Sequence, residues 1–210
     1  MNNRDYKEFA PDTISHVYNR GNNKGLVFID NQDYKAFMFR VGLVLGFEID
    51  EIIVYNLMKT PYSRIRINSK PGLFRLHAFC LMPNHFHLLI EQCGDISISK
   101  FILQVCTSYS KYFNKKYKRV GHVFQDKFRA VLTNSNQQLM WSSAYIHMNP
   151  VVANLAVTPE NYEWSSYKYF SEKKEIPILC KNLIPQIFGN IENFKKQTFS
   201  FKQGSVKGRL

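Results

Sequence analysis

Apolar and polar residues alternate near the start of the chain in a pattern that predicts a strand and then a helix. The strand covers Thr13 to Tyr18 (TISHVY) and runs into a turn-rich basic loop from Asn19 to Lys24. From Asn31 to Gly46 the apolar residues recur at helical spacing, with Asp30 or Asn31 available as the N-cap.

Two apolar segments in the middle of the chain predict strands. They run from Leu73 to Leu81 and from His85 to Glu91, and they are rich in aromatic and branched residues. The pattern fits two strands or one long strand interrupted at Pro83-Asn84. Residues 48–70 mix an apolar run with a punctuated basic run, and we interpret them as an insertion or an edge element.

The remaining segments complete an α+β order. Helical spacing predicts a helix from Ser97 to Lys118, and another from Asn134 to about Met148, before Pro150. A strand is predicted between them, from Val123 to Leu132. This order of elements is that of a ferredoxin-like sandwich, with an antiparallel sheet packed by helices and additional C-terminal helices.

The chain divides by pattern into a main domain and an extension. Residues 1–156 hold every predicted strand, whereas residues 157–210 contain short amphipathic pieces. The last residues, KQGSVKGRL, are basic and poor in apolar side chains, so we expect a mobile tail.

The charge balance of the chain favours a polyanionic partner. Lys and Arg number 28 against 16 Asp and Glu, a formal charge of +12. Nucleic acid is the leading partner class, and a basic surface kept for solubility is the alternative. Cations interleaved with aromatic residues suit single strands, which are held by phosphate contacts and base stacking. The candidate DNA-binding residues are Arg20, Lys24, Lys111, Lys115, Lys116, Lys118, Arg119, Lys127 and Arg129.

Cysteine usage and hydropathy bear on the cellular compartment. The four cysteines form no C-x-x-C pair, so reduced thiols in a cytoplasmic protein are the simplest interpretation. The polar N-terminus lacks the apolar core of a signal peptide, and no apolar run reaches membrane-spanning length. We therefore expect a cytoplasmic protein without a membrane partner.

A pair of histidines stands out within the second central strand. His85 and His87 are two residues apart, so both side chains project from one face while Phe86 faces the other. Imidazole nitrogens are common ligands of divalent metals, and the pair could therefore hold an ion. The alternative is a pair of hydrogen-bonded core histidines, because H-x-H also recurs by chance.

The segment from Trp141 to Pro150 offers groups that could complete such a site. Tyr145 and Asn149 are four residues apart and hence neighbours on one helix face. Pro150 disfavours a helical conformation for Asn149, which places that residue at the helix end or at a kink. A half-buried core aromatic is the alternative for Tyr145, and His147 is interpreted as structural.

Five motifs together carry a family resemblance. They are SHVYNRGNN, HAFCLMPNHFHLLIE, YFNKKYKRVGHVFQDKFRAVL, AYIHMNP and EWSSYKYF. In this combination and order, over about residues 13–170, the chain resembles the REP-associated tyrosine transposases. That family belongs to the single-tyrosine branch of HUH transposases and carries an insertion-sequence-200-like transposase domain.

The resemblance implies a ferredoxin-like core that cleaves and rejoins single-stranded or hairpin DNA through a 5′-phosphotyrosine. It also implies a divalent cation, Mg²⁺ or Mn²⁺. His85 and His87 match the metal-binding H-x-H, Tyr145 matches the nucleophile, and Asn149 matches the polar residue that supplies a third ligand. A monomer and a homodimer are both compatible with the sequence.

Two features depart from the family pattern, and two other functions stay open. Val152 and Asn154 replace an Arg and a Gly common in the family, and residues 48–70 do not fit its pattern. A domesticated, non-catalytic DNA-binding or regulatory protein is the main alternative function. A small-molecule metalloenzyme is the other, but it leaves the basic charge and the motif order unexplained.

Overall fold

The computed structural model describes residues 9–48, 69–172 and 174–204. The strands are β1 (Thr13–Arg20), β2 (Phe74–Met82), β3 (His85–Gln92) and β4 (Arg129–Thr133). The helices are α1 (Asn31–Leu45), α2 (Ile98–Lys116), α3 (Asn136–Val152), α4 (Tyr167–Ser171), α5 (Leu183–Phe188) and α6 (Ile191–Gly204). Short 3-10 turns cover Asn22–Lys24 and Pro159–Asn161.

The four strands form one antiparallel sheet in the order β2-β3-β1-β4. With α1 between β1 and β2, and α2 between β3 and β4, this is the predicted ferredoxin-like α+β fold, which the structure confirms. The added C-terminal helices are also present. The order brings β1 and β3 together at the centre, although they are far apart along the chain.

The central strands bury different chemistry on their two faces. Phe86 on β3 is fully buried, and its ring centre lies 4.9 Å from that of Phe37 on α1. His87, the next residue, packs on the opposite face beside His16 and Tyr18 of β1. Because side chains alternate along a strand, one face carries the apolar core and the other carries a polar cluster under α3.

Local sequence sets the limits of α1. The side chain of Asp30 accepts a hydrogen bond from the backbone of Asp33, whose side chain accepts one from the backbone of Asp30, a capping box. The helix ends at Gly46, where φ is +91° and a Cβ would lie 2.5 Å from the backbone of Pro71. Glycine is required there by both the left-handed backbone and the close approach.

Two predicted boundaries are wrong. β4 begins at Arg129 rather than at Val123. The apolar residues Val123 and Phe124 are buried, but they lie in a loop, where Phe124 forms an isolated bridge with Gly21. α3 continues through Pro150 to Val152 instead of ending near Met148. The side-chain amide of Asn149 donates to the carbonyl of Tyr145, 2.8 Å away, and so braces the turn that the proline would weaken.

The C-terminal segment completes the core and covers an edge of the sheet. Backbone N–H groups of Leu81 and Cys180 donate to the carbonyls of Trp164 and Leu76, respectively, both at 2.8 Å. Unpaired sheet edges invite aggregation, and this segment protects the edge formed by β2. Tyr167 belongs to the same buried cluster as the sheet residues. The domain boundary at residue 156 stays a prediction.

Two predictions from the sequence, the insertion or edge element and the mobile tail, fall largely on segments outside the described residues. Residues 49–68, most of the unassigned stretch 48–70, lie outside the described residues, as do residues 205–210 of the predicted tail. Within the described ranges, no helix has the length and apolar character needed to cross a membrane.

Candidate active site

The candidate site lies at one end of the sheet, where β1 ends and β3 begins. Arg20, the last residue of β1, pairs in register with His85, the first residue of β3. Arg129 opens β4 at the same end and pairs with Tyr18. The antiparallel order therefore collects two histidines and two arginines that are distant in sequence.

The two predicted histidines face one another closely. The ring centres of His85 and His87 are 5.0 Å apart and the rings are nearly perpendicular, at 86°. The Nδ1 atom of His85 is hydrogen bonded to the Oδ1 atom of Asn84 at 2.6 Å. The Nε2 atom of His87 is buried and has no hydrogen-bond partner among the described residues. A buried polar atom without a partner is unusual and requires an explanation.

A third histidine joins this pair, and sequence reasoning missed it. His16 on β1 places its Nε2 atom 2.9 Å from the Nδ1 atom of His87, in a buried hydrogen bond. The sequence pattern identifies His16 only as a strand position in TISHVY. The available signal was its alternation with Tyr18, but the register between β1 and β3 was needed to connect it to His87.

Tyr145 reaches the histidine cluster from α3. Its ring centre lies 5.5 Å from that of His87 and 5.6 Å from that of His16, both edge to face. Phe201 of α6 packs against the same tyrosine, with the ring centres 6.0 Å apart. The tyrosine is partly buried, so its ring is held while part of it stays accessible.

Burial keeps the imidazoles neutral. It lowers the pKa of His85 to about 4, helped by the positive charge of Arg20. Burial also lowers the pKa of His16 to about 4. It lowers the pKa of His87 well below its usual value, and His16, His85 and Arg20 lower it further by smaller amounts. Neutral imidazole is the form that binds metal ions.

The phenol of Tyr145 is subject to opposing influences. Burial chiefly raises its pKa, and the nearby Tyr18 adds to that effect. Asn149 and Arg20 act in the opposite direction, since a hydrogen-bond partner and a positive charge both favour the phenolate. These two residues are the groups in the cluster that favour ionisation of the tyrosine.

Two further residues fix the helix that carries Tyr145. Asn149 contacts the preceding turn through its amide, as described above. His147 is fully buried, with its Nε2 atom 2.8 Å from the hydroxyl oxygen of Ser166. Burial lowers the pKa of His147 to about 3. This residue ties α3 to the C-terminal segment and does not face the histidine pair.

The basic loop after α2 is anchored to the same end of the sheet. The backbone N–H of Gln125 donates to the carbonyl of Arg20 at 2.8 Å, and that of Asn22 donates to Val123 at 2.9 Å. The carbonyl of Lys24 accepts a bond from the Asn84 side chain, which precedes His85. Exposed cations on or next to this loop are Lys118, Arg119, Lys127 and Arg129.

Lys116 differs from the other predicted cations. Its Nζ atom lies 2.7 Å from both carboxylate oxygens of Asp30 and 2.8 Å from the buried Asp33. Only 11% of its side chain is exposed. It therefore joins the start of α1 to the end of α2, whereas Lys111 and Lys115 are exposed on α2.

A metal at the histidine pair would need ligands of other types. The part of the chain that the structure describes contains no group of three or more His, Cys, Asp or Glu side chains suited to a metal ion. An amide such as that of Asn149, water or a bound phosphate would have to supply the remaining ligands.

Comparisons with known proteins agree with the fold and the motifs. Residues 51–149 match the family model described as Transposase IS200 like. The chain is similar in fold to a REP-associated tyrosine transposase whose structure was solved bound to a REP hairpin. That similarity has a TM-score of 0.55 and 14% sequence identity, and it covers 83% of this chain and 88% of the other. No curated protein matches the chain at significant similarity.

These findings confirm the resemblance inferred from the motifs. The chain is similar to IS200-like transposases in sequence over residues 51–149. It is similar to a REP-associated tyrosine transposase in fold.

Proposed function

We propose that this protein is a metal-dependent transposase that cleaves and rejoins single-stranded DNA through a 5′-phosphotyrosine on Tyr145. One observation carries the proposal. Tyr145 lies beside a histidine pair in which the Nε2 atom of His87 is buried and unpartnered, at the basic end of the sheet. A tyrosine, two neutral imidazoles and nearby cations are the groups that phosphodiester chemistry of this kind requires.

The histidine pair fits a divalent ion. The ring centres of His85 and His87 are 5.0 Å apart, and the Nε2 atom of His87 is buried without a partner among the described residues. These two imidazoles would hold the ion, since neutral imidazole nitrogens are common ligands of divalent metals. Bound Mg²⁺ or Mn²⁺ would supply positive charge to a non-bridging oxygen of the scissile phosphate. Asn149 is the proposed third protein ligand.

Tyr145 would carry out the covalent step. Its phenolate oxygen attacks the phosphorus, the P–O3′ bond breaks, and the leaving strand departs with a 3′-hydroxyl. The phenol proton is lost to solvent, and the departing 3′-oxygen takes up a proton from solvent. Attack by a 3′-hydroxyl on the phosphotyrosine reverses the step and joins strands. Arg20 favours the phenolate, which compensates in part for the raised pKa of Tyr145.

The DNA strand would cross the basic end of the sheet. We propose that Arg20, Lys24 and the cations of the anchored loop contact phosphates, with Lys111 and Lys115 extending the surface along α2. Lys116 is left out because its charge is already paired with Asp30 and Asp33. The REP hairpin bound to the similar solved structure supports hairpin DNA as the substrate class.

A covalent-adduct assay tests the proposal. Wild-type protein is incubated with labelled hairpin-containing single-stranded DNA and Mn²⁺ and then separated by denaturing electrophoresis. We expect a protein–DNA adduct that Tyr145→Phe does not form. Tyr18→Phe is the matched control, because the ring of Tyr18 also lies 5.6 Å from that of His87. It should still form the adduct.

Other outcomes would contradict specific parts of the proposal. An equal adduct from Tyr145→Phe would remove that residue as the nucleophile. No adduct from wild type, together with salt-sensitive binding of the same DNA, would instead indicate a non-catalytic DNA-binding protein.

A further inference from the structure

We infer that His16 is a positioning residue that fixes His87 in the tautomer able to bind a metal through Nε2. The inference deepens the proposed function and rests on its assignment of His87 as a ligand. It concerns an interaction between two strands that no motif or comparison assigns.

The hydrogen bond between the two rings contains one proton. Neutral imidazole carries a proton on one nitrogen and a lone pair on the other. A metal bound at the Nε2 atom of His87 requires the lone pair there, so the proton must lie on Nδ1. That nitrogen then donates to the Nε2 atom of His16 across the observed 2.9 Å. Ligand histidines commonly use their second nitrogen in this way, and the partner sets the tautomer and the ring orientation.

The surroundings favour this role over simple core filling. His87 has one nitrogen bonded to His16 and the other, Nε2, buried without a partner. His77 on β2 likewise has one bonded nitrogen and one buried nitrogen without a partner, so this pattern alone does not identify a ligand. What distinguishes His87 is its place beside a second imidazole, that of His85, and beside the phenol of Tyr145.

His16 also couples the ligand to the nucleophile. Its ring centre lies 5.1 Å from that of His87 and 5.6 Å from that of Tyr145. His16 is 7% exposed, so little solvent can substitute for it. A change at this position should disturb the orientation of His87 and the packing of Tyr145 together.

Two substitutions at His16 distinguish a role in orienting His87 from a role in packing alone. His16→Phe keeps an aromatic ring but removes the acceptor, whereas His16→Gln retains an acceptor near the position of Nε2. Nitrogen-15 NMR of the metal-free protein reports the His87 tautomer directly, and calorimetric titration with Mn²⁺ alone reports affinity. We expect the proton on Nδ1 of His87 in wild type and a shift toward Nε2 in His16→Phe. We expect Mn²⁺ affinity to fall by about 10- to 100-fold in His16→Phe and to recover largely in His16→Gln.

A buried histidine elsewhere provides the control. His77 on β2 is 2% exposed and bonded to Glu91, and His77→Gln should leave Mn²⁺ affinity unchanged. A wild-type His87 protonated at Nε2, or unchanged tautomer and affinity in His16→Phe, would overturn the inference. If wild type binds no Mn²⁺ but the tautomer still depends on His16, the role of His16 in setting the tautomer is supported and the metal in the proposed function fails.

Discussion

Two buried polar clusters lie at different places in this fold, and they differ in whether their groups are all paired. Around Lys116, the carboxylate of Asp33 accepts from Lys116, Tyr112 and Tyr117, and the ammonium group is bonded to two carboxylates. In the histidine cluster, by contrast, the Nε2 atom of His87 has no partner among the described residues.

The difference in pairing distinguishes a cluster that stabilises the fold from a cluster that could bind a ligand. A buried charge that is fully paired joins two helices and has no remaining capacity to bind a ligand. A buried lone pair that stays open costs free energy, and this cost makes sense if a ligand occupies it during function. Both clusters contain residues that the sequence marks as functional candidates, and only their pairing tells them apart.

Removing a proposed ligand should give the largest change. We expect His85→Ala to lower metal-dependent cleavage by at least about 100-fold, because one of two imidazole ligands is lost. DNA binding at low salt should remain, since the proposed phosphate contacts are made by other residues. His122→Ala is the control, since that histidine is exposed on the basic loop. Equal cleavage by wild type and His85→Ala would contradict the ligand role.

Breaking the fully paired cluster around Lys116 should lower the stability of the protein rather than its cleavage activity. Lys116→Met leaves the buried Asp33 without its cation, and we expect the free energy of unfolding to fall by about 3 kcal/mol. Urea denaturation measures this change, with the exposed Lys111→Met as the control. Cleavage by the folded variant should stay near wild type. A large loss of cleavage without loss of stability would assign Lys116 to the site.

The proposed DNA interface should appear in the salt dependence of binding. We expect Arg129→Gln to weaken single-stranded DNA binding and to reduce the slope of log affinity against log salt by about 0.7, one phosphate contact. Lys100→Gln is the control, because α2 begins beside Gln92, at the opposite end of β3 from His85. Equal slopes for the two variants would place the DNA elsewhere.

Acid should destabilise the protein through its buried histidines. The pKa of His16 falls from 6.5 to about 4 on folding, and that of His147 falls from 6.5 to about 3. The unfolded chain therefore binds more protons below pH 6.5, and stability should decrease as the pH falls from about 6.5 to about 4. Melting temperatures across this range measure the effect, and His147→Gln should flatten part of the slope. A constant melting temperature would contradict it.

Much of the fold could be predicted because local patterns and global order agree. The apolar periodicity predicts the strands and helices of the core, and the i,i+2 spacing places His85 and His87 on one face. The predicted start of β4 and the predicted end of α3 are wrong, because tertiary contacts override the local apolar pattern at both places. Phe124 is buried without belonging to a strand, and the turn before Pro150 is braced by a side chain.

The candidate site could be predicted only in part. The family motifs suggest His85, His87, Tyr145 and Asn149, but the pairing of each polar atom depends on register and packing. The sequence does not show that His16 faces His87, or that Asp30 and Asp33 neutralise Lys116. Such pairings join residues about 70 to 90 positions apart, and local periodicity contains no information about them.

Pulsed electron paramagnetic resonance of Mn²⁺ bound to the protein–DNA complex tests the central claim most directly. We predict modulation from imidazole nitrogens in wild type and in Tyr145→Phe, and its loss when His85 and His87 are both replaced by alanine. Bound Mn²⁺ without nitrogen modulation in wild type, or with the same modulation after both replacements, would contradict the account.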